Sequence, residues 1–275
     1  MSMESTAARA ATEFTSPFVE TSLGTVHVRR GGDGPPLMLL HSNGLSWREF
    51  EASMEHLARR FHVVAWDMPG QGDSDPVPWD TPIDGYADAA SEVIDDLGLD
   101  RPFVAGCSVG GFIAASLAAR RGEQLAGAFL VEFQFGGEQW FARNWATVET
   151  LFAVPTMTPD QVQARLVQPA AEGVAHRWNI DRNKAGARSM MGVMWAIRRY
   201  DIRAALEGAT VPVDALFGDA SPTVAYSAAV TEALGIRGRV QVVPGAGHFV
   251  SIDQPDVFAD AVAAFAGRST VAPKP

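Results

Sequence analysis

Short apolar runs alternate with amphipathic stretches along the first half of the chain. Residues 26–29 alternate apolar with polar side chains, as in a half-buried strand, whereas 37–40 and 63–66 are apolar without interruption. Uninterrupted apolar runs of this length are typical of strands that are covered on both faces. Helical periodicity over 47–60 connects these two runs. The alternation predicts a parallel sheet wrapped by helices.

The same alternation continues to residue 133 and resumes late in the chain. The other predicted core elements are a helix over 88–97, a strand over 103–107, a helix over 111–120, strands over 125–133, 211–217 and 240–243, and a helix over 255–265. Residues 136–206 contain helical stretches rich in Trp and Met, but no clear strand. This composition is equally typical of a helical core. The position of the segment, after a strand that should end at an active site, favours a cap that shapes a pocket.

These patterns divide the chain into regions. We predict an α/β core over 18–135 and 207–268, a helical cap over 136–206 and a flexible start over 1–17. The start lacks the basic flank and apolar core of a secretory signal. No continuous apolar window is long enough to span a bilayer. A cytoplasmic protein without a membrane partner is therefore expected.

Charge and cysteine content narrow the partners further. The 275 residues include 22 basic and 32 acidic side chains, which gives a net charge of −10. An acidic chain without a basic patch argues against nucleic acid and anionic membranes as partners. The single cysteine, Cys107, excludes an internal disulfide. We expect a small-molecule substrate, and the sequence leaves the oligomeric state open.

The most informative motif is G-C-S-V-G at residues 106–110, between a predicted strand and a predicted helix. A strand, a tight turn and a helix around G-x-S-x-G form a nucleophile elbow, in which small residues flank an exposed serine. Ser108 is therefore the candidate nucleophile. The alternative is a chance pentapeptide, which the strand and helix on either side disfavour. Cys107 has no base of its own in the sequence, and we interpret it as a packing residue.

A serine nucleophile needs a positioned base, and His248 is the best candidate. It follows the last predicted strand in the Gly-rich loop P-G-A-G-H-F at 244–249. This is where a fold that orders its triad as Ser, acid, His places the histidine. His41 ends a strand, and we expect it to line the pocket floor instead.

The acid that orients the histidine has two candidates. The common position, three residues after Gly218, is occupied by Ser221, which is not ionised at neutral pH, and Asp219 lies two positions early. The other possible position is the end of the preceding strand, where Glu132 follows an apolar run. A lone carboxylate there is costly unless it is paired. We favour Glu132 over Asp219, and the structural alternative is that Glu132 is a simple surface residue.

Hydrolysis also requires backbone N–H groups that face the developing oxyanion. One donor should be the residue after the nucleophile, Val109. The second should come from the loop after the 37–40 strand, where Asn43 is the first choice and Gly44 the alternative. No metal or cofactor is implied. The D-M-P-G-Q-G-D-S segment at 67–74 closes the next strand and is interpreted as a structural turn.

The order of these motifs resembles the α/β-hydrolase superfamily from about Val26 to Phe265. This resemblance implies an α/β-hydrolase fold: a mostly parallel sheet flanked by helices, with a helical cap inserted after the sixth strand. A Glu acid after the sixth strand is also similar to the haloalkane dehalogenases. That family carries an Asp nucleophile followed by Trp, whereas this chain has Ser108 followed by Val109.

A closer resemblance is to the fungal zearalenone lactonases, which hydrolyse the ester of a resorcylic macrolactone. The similar segments are G-C-S at 106–108, D-M-P-G at 67–70, G-D-A-S-P-T at 218–223, the loop at 244–249 and P-D-V-F-A at 255–259. Glu132 falls at the same distance from the nucleophile as their acid. The resemblance implies that Trp195 stacks on the substrate. The H-S-N-G loop at 41–44 differs from their P-D-G loop, and the cap between 135 and 190 shows no reliable likeness.

The sequence thus predicts a cofactor-independent serine hydrolase with Ser108, Glu132 and His248 as catalytic residues. Asn43 and Val109 would form the oxyanion hole, and Trp195 would contact the substrate. The expected substrate is a carboxylic ester or lactone, with zearalenone implied by the resemblance. Alternatives are an esterase or C–C bond hydrolase for smaller substrates, or a receptor with a hydrolase fold and slow turnover.

Overall fold

The computed structural model describes residues 12–269. Its strands are β1 (Phe18–Thr21), β2 (Gly24–Gly31), β3 (Pro36–Leu40), β4 (His62–Trp66), β5 (Phe103–Cys107), β6 (Gly127–Val131), β7 (Val213–Gly218) and β8 (Val240–Val243). Its helices are α1 (Glu51–Ala58), α2 (Ile83–Asp96), α3 (Val109–Arg121), α4 (Gly137–Phe152), α5 (Pro159–Gln163), α6 (Val174–Arg199), α7 (Ile202–Gly208), α8 (Ser227–Leu234), α9 (Val250–Asp253) and α10 (Pro255–Ser269).

The strands form one eight-stranded sheet in the order β1-β2-β4-β3-β5-β6-β7-β8. The pairs β1–β2 and β2–β4 are antiparallel, and every following pair in this order, from β4–β3 to β7–β8, is parallel. Leu40 at the end of β3 pairs with Gly106 of β5, and Cys107 pairs with Val131 of β6. The carboxyl ends of β3, β5 and β6 therefore meet at one edge, where ligands bind in open α/β sheets.

Helices cover both faces of this sheet because successive strand residues point to opposite sides. In β3, Met38 and Leu40 join the apolar core beneath α2 and α3, while Leu37 and Leu39 join the core beneath α1 and α10. Apolar runs without interruption are thus explained by burial on both faces. The predicted fold, a mostly parallel sheet flanked by helices, is confirmed.

Four helices, α4 to α7, separate β6 from β7. Helix α4 packs on α6, and α5 also packs on α6, whereas α7 packs on α3 of the main body. The helical insertion after the sixth strand therefore has the predicted place in the chain order. The division at 136 and 206 into a separate cap remains a prediction.

Two differences from the sequence prediction occur in the first half of the chain. Strand β1 was not predicted, and α2 begins at Ile83 rather than at 88. Of the predicted flexible start, residues 1–11 lie outside the described residues. Thr15 exchanges backbone hydrogen bonds of 2.9 Å with Arg30 of β2. Over residues 12–269, no helix combines the length and apolar character that a membrane span requires.

Candidate active site

Ser108 lies at a sharp turn between β5 and α3, as the G-C-S-V-G motif predicts. Its backbone has φ 53° and ψ −113°, a conformation that a non-glycine residue adopts only where its surroundings enforce it. The Ser108 N–H donates to the Val131 carbonyl at 2.8 Å, which fixes the turn to the neighbouring strand. The serine side chain is consequently held at the carboxyl edge of the sheet.

The flanking glycines are required by close backbone contacts. A Cβ on Gly106 would lie 2.0 Å from the Gly110 carbonyl oxygen, and a Cβ on Gly110 would lie 2.1 Å from the Leu40 carbonyl oxygen. Both distances are far shorter than any real carbon–oxygen contact. The first turn of α3 therefore packs directly against the ends of β3 and β5, and the helix N-terminus faces the Ser108 side.

Glu132 follows β6 directly and is completely buried. Its backbone also has a positive φ, of 55°, and its N–H donates to the Leu216 carbonyl at 3.0 Å. The Ser221 hydroxyl donates to Oε2 at 2.6 Å, the Thr223 hydroxyl also donates to Oε2, and the Gly218 N–H donates to Oε1. The interpretation of Glu132 as a surface residue is therefore wrong, because its carboxylate is enclosed and hydrogen-bonded.

His248 is brought against this carboxylate by the loop after β8. Its Nδ1 lies 3.4 Å from Glu132 Oε2, and its side chain is 28 % exposed. This separation is longer than an ordinary N–H···O hydrogen bond, but it is within the range of an ion pair. The Gly247 N–H donates to Asp253 Oδ2 at 2.8 Å and so anchors the histidine loop to α9.

The second candidate acid, Asp219, is placed differently. Its side chain is exposed, and Oδ1 accepts the Gly245 N–H at 2.8 Å. No ion pair joins Asp219 to His248 within residues 12–269, whereas one joins Glu132 to His248. The geometry thus brings Glu132, and not Asp219, to the histidine.

The second oxyanion donor is predicted in the loop after β3, at Asn43 or Gly44. The Asn43 side chain is engaged, since Nδ2 donates to the Met190 carbonyl at 3.0 Å and Oδ1 accepts from Gln71 at 2.7 Å. The Gly44 N–H donates to the Gln71 side chain at 2.7 Å, so this alternative donor is already occupied. The N–H of Val109 belongs to the first turn of α3, where backbone donors have no partner within the helix.

Ser108 and His248 line the same cavity, which has a volume of about 420 Å³. Much of its wall comes from the insertion, including Trp140, Phe141, Val148, Leu151, Phe152, Arg165, Met194 and Ile197, and the rest includes Phe112, Gln134, Thr223, Tyr226 and Phe249. A mostly apolar cavity with a few convergent polar groups is typical of a small-molecule site.

Trp195 does not line this cavity. Its ring centroid lies 4.3 Å from that of Trp145, and the Arg198 guanidinium lies 4.9 Å from its centroid. The neighbouring Met194 and Ile197 face the cavity instead. The expected stacking of Trp195 on the substrate is therefore not supported, because this face of α6 packs on other aromatic side chains.

His41 was expected on the pocket floor and lies elsewhere. It is fully buried, its Nδ1 donates to the Ser42 carbonyl at 2.8 Å, and its Nε2 accepts the Met68 N–H at 2.8 Å. The residue thus joins the loops after β3 and β4. Cys107 is also buried, and burial followed by the nearby Glu49 carboxylate raises the pKa of its thiol, which agrees with a packing role.

Within the described chain, one group of side chains has the spacing of a metal site: His27, Asp67 and Asp73, whose ligand atoms lie within 4.8 Å of one another. Asp67 is already occupied, because Oδ1 accepts the Trp47 N–H at 2.7 Å and Oδ2 accepts the Asp73 N–H at 2.9 Å. His27 Nδ1 lies 2.9 Å from Oδ2. These bonds favour the structural turn that the sequence predicts at 67–74.

Sequence reasoning missed three residues of the site. Ser221 and Thr223 hold the Glu132 carboxylate, and Arg165 contributes a cation to the cavity wall. A signal existed for Ser221, since it occupies the common position of the acid and a hydroxyl there can donate to a carboxylate from β6. No signal existed for Arg165, which lies in an irregular segment after α5.

A serine at a nucleophile elbow, a histidine after the last strand and a buried carboxylate beside it are the arrangement typical of the α/β-hydrolase fold. The family model described as "Alpha/beta hydrolase family" matches residues 37–261. The chain belongs to this family.

Several known proteins with similar sequences are hydrolases. The chain is 26 % identical over 284 residues to 2-(acetamidomethylene)succinate hydrolase of Mesorhizobium japonicum, an alignment that covers 96 % of this chain and 99 % of that protein. It is 32 % identical over 97 residues to (E)-2-((N-methylformamido)methylene)succinate hydrolase of Acinetobacter baylyi, covering 35 % of this chain and 37 % of that protein. A haloalkane dehalogenase of Mycobacterium tuberculosis is aligned over 43 % of its length.

Among solved structures, an N-acyl homoserine lactonase in complex with N-butanoyl homoserine superposes with a TM-score of 0.80 at 22 % identity. The superposition covers 95 % of this chain and 99 % of the lactonase. At this identity the similarity establishes the fold alone. The comparisons together place the chain in the α/β-hydrolase family.

Proposed function

We propose that this protein is a serine hydrolase that cleaves a carboxylic ester or lactone through an acyl-enzyme. The observation that carries the proposal is the convergence of three groups. Ser108 and His248 line one cavity, and the buried Glu132 carboxylate lies 3.4 Å from His248 Nδ1. A serine hydroxyl is a weak nucleophile until a base removes its proton, and a base needs an acid to orient it.

The proposed reaction proceeds in two halves. Ser108 Oγ attacks the carbonyl carbon while His248 accepts the hydroxyl proton, and His248 then returns that proton to the leaving alkoxide. Water, deprotonated by His248, attacks the acyl-enzyme, and the released Ser108 Oγ regains a proton. Glu132 holds His248 Nδ1–H and stabilises the imidazolium that forms in each half. Both halves need no external oxidant, metal or cofactor.

The proposed oxyanion hole uses the N–H groups of Val109 and Asn43. Val109 begins α3, so its N–H and the helix dipole both favour negative charge at this point. Asn43 follows β3, the strand whose last residue pairs with Gly106 of the elbow. The side-chain bonds of Asn43 to Met190 and Gln71 hold its backbone in place. Gly44 is less suitable because its N–H is already donated to Gln71.

The serine at position 108 argues against the reaction of the haloalkane dehalogenases, because that family uses an aspartate as its nucleophile. The cavity volume of about 420 Å³ and its aromatic wall suit a substrate of moderate size. Zearalenone is the first macrolactone to test, on the strength of the similar motifs at residues 106–108 and 244–249.

The test is mass spectrometry of zearalenone incubated with the protein and with Ser108→Ala. A product heavier by one water, which then loses carbon dioxide and is absent with Ser108→Ala, would support the lactonase. If zearalenone is unchanged, a panel of 4-nitrophenyl esters from acetate to octanoate decides whether ester hydrolysis stands. Covalent labelling by a fluorophosphonate in the native protein but not in Ser108→Ala tests the nucleophile directly. Release of only one equivalent of 4-nitrophenol per protein molecule from every ester would favour a receptor over an enzyme.

A further inference from the structure

Arg165 contributes a positive charge to the cavity that holds Ser108 and His248. It lies in the segment after α5, and Ala164, Leu166 and Val167 on either side also line the cavity. Among the described lining residues, Arg165 is the one with a permanently charged side chain. The remaining wall is mostly aromatic and aliphatic. A single cation in such a wall requires an explanation.

The Arg165 guanidinium forms neither a hydrogen bond nor an ion pair within residues 12–269. Its Nε is buried without a hydrogen bond, and no carboxylate of the described chain forms an ion pair with it. The guanidinium carbon lies 5.3 Å from the Phe249 ring centroid and 5.9 Å from that of Trp178. Burial, with a smaller contribution from Arg182, lowers the pKa of Arg165 to about 10, so the side chain is still charged at neutral pH.

Arg182 shows how the same protein treats a buried arginine with a structural role. It is 1 % exposed, and its guanidinium donates to the carbonyls of Leu151, Val154 and Pro155 at 2.6–2.9 Å. These bonds close the C-terminal end of α4 against α6. A buried charge is normally compensated in this way. Arg165, which is half-buried, has no such carbonyls, so its guanidinium is available to pair with a ligand in the cavity.

The segment that carries Arg165 is fixed relative to the catalytic loop by one carboxylate. Asp253 Oδ1 accepts the N–H groups of Val167 and Gln168 at 2.9 and 3.0 Å. Asp253 Oδ2 accepts the N–H of Gly247, next to His248, at 2.8 Å. The backbone next to Arg165 is therefore tied to the loop that carries His248. Pre-organisation of this kind is what an anchoring residue needs to orient a substrate.

We infer that Arg165 binds a carboxylate of the substrate, so that the site takes an ester or lactone that carries a negative charge at a fixed distance from the scissile carbonyl. This inference rests on the proposed function. A guanidinium presents a planar fork that matches a carboxylate bidentately, and the pair is strong when water is excluded. The protein carries a net charge of −10, so a local cation also offsets the repulsion of an anionic substrate.

The first test compares two esters of the same length: 4-nitrophenyl hydrogen glutarate, which is anionic, and 4-nitrophenyl pentanoate, which is neutral. The measured quantity is the ratio of their kcat/KM values. We expect Arg165→Gln to lower this ratio by at least about 30-fold, because a desolvated charge pair is lost. Arg165→Lys should recover part of the ratio, since it keeps the charge but not the fork.

Arg177→Gln is the matched control. Arg177 lies on α6, is exposed and lines a neighbouring cavity, so the substitution makes the same charge change outside the proposed site. It should leave the ratio unchanged. An unchanged ratio in Arg165→Gln, whether or not activity on both esters falls, would show that Arg165 only packs on the rings of Phe249 and Trp178. Thermal unfolding of each variant checks that the fold is intact.

A second test needs no turnover and separates the two proposals. Calorimetry measures the binding of monoethyl glutarate to Ser108→Ala and to Ser108→Ala with Arg165→Gln. We expect at least about tenfold weaker binding in the double variant. If binding depends on Arg165 but the native protein hydrolyses neither ester, the carboxylate site is supported and the proposed hydrolase function is refuted. If the native protein hydrolyses the esters but binding is the same with and without Arg165, the hydrolase function is supported and the carboxylate site is refuted.

Discussion

Glu132 reaches His248 from β6 and not from β7: its Oε2 lies 3.4 Å from His248 Nδ1, at the end of a strand adjacent to the elbow strand. The end of β7 contributes hydroxyl groups in place of a carboxylate, because Ser221 and Thr223 donate to the same oxygen. The acid therefore follows β6, and the hydroxyl groups that donate to it follow β7. In the more common arrangement, β7 is the strand that carries the acid.

The two candidate acids are distinguished by a pair of carboxamide substitutions. Glu132→Gln should lower kcat/KM by about 10³–10⁴-fold, since an amide cannot fix the histidine tautomer or stabilise the imidazolium. Asp219→Asn should stay close to the native value, because Asp219 contacts the Gly245 N–H and not His248. Initial rates on the best 4-nitrophenyl ester give both numbers. Equal damage from the two substitutions would refute Glu132 as the acid.

The hydroxyl groups that hold Glu132 should contribute measurably to stability. Thr223→Val keeps the shape of the side chain but removes a donor to a fully buried carboxylate. A hydrogen bond to a charged group is worth about 1.5–3 kcal/mol, so the free energy of unfolding should fall by that amount. Urea unfolding at pH 7 measures it. Thr223→Ser retains the hydroxyl and serves as the control; a loss as large as that of Thr223→Val would assign the effect to packing instead.

The sequence predicted the core and the triad candidates because their signals are local. Strands β3, β4 and β5 each contain an uninterrupted apolar run, and the glycines at 106 and 110 indicate the elbow directly. Strand β1 was missed because Phe18 is exposed and only Val19 of its four residues is buried, which leaves little apolar pattern to recognise. Its place in the sheet comes from pairing with β2, which is tertiary information.

The insertion could not be predicted to the same depth. Helical periodicity shows which residues share a face, but not which face meets the cavity. Trp195 was assigned to the substrate through the resemblance alone, whereas Met194, Ile197 and Trp140 line the cavity and Trp195 packs on Trp145. Arg165 lies outside regular helix and strand, so its position depends wholly on how the segment folds back toward α9.

The elbow glycines should be intolerant of a single methyl group. Gly110→Ala would place a Cβ 2.1 Å from the Leu40 carbonyl, and the backbone of β3 cannot move without disturbing the sheet. We expect a loss of about 3 kcal/mol or more in the free energy of unfolding, together with loss of activity. Gly208→Ala is the control, since no atom lies within 4 Å of its added Cβ and the position is exposed. It should change stability by less than about 0.5 kcal/mol. Similar unfolding curves for the two variants would contradict the packing argument.

A buried carboxylate in the insertion predicts how stability depends on pH. Asp181 of α6 accepts the Ser46 hydroxyl at 2.8 Å and is 4 % exposed. Burial raises the pKa of Asp181 above its ordinary value of 3.8, although the Ser46 hydrogen bond acts in the opposite direction. A folded-state pKa above the unfolded-state value means that the folded protein binds the proton more tightly. The contribution to stability is therefore complete below the unfolded-state pKa and is lost as the pH rises through the folded-state pKa.

Asp181→Asn removes this dependence while it keeps an oxygen to accept the Ser46 hydroxyl. The melting temperature of Asp181→Asn relative to the native protein should rise as the pH increases from 3.5 to 7.5, because the native protein loses stability when Asp181 ionises and the variant does not. Thermal unfolding across that range measures the difference. Asp100→Asn, at an exposed position, should show no such trend. A variant that is less stable than the native protein at pH 7.5 would show that the Asp181 carboxylate is stabilised by its surroundings and that burial does not dominate at this position.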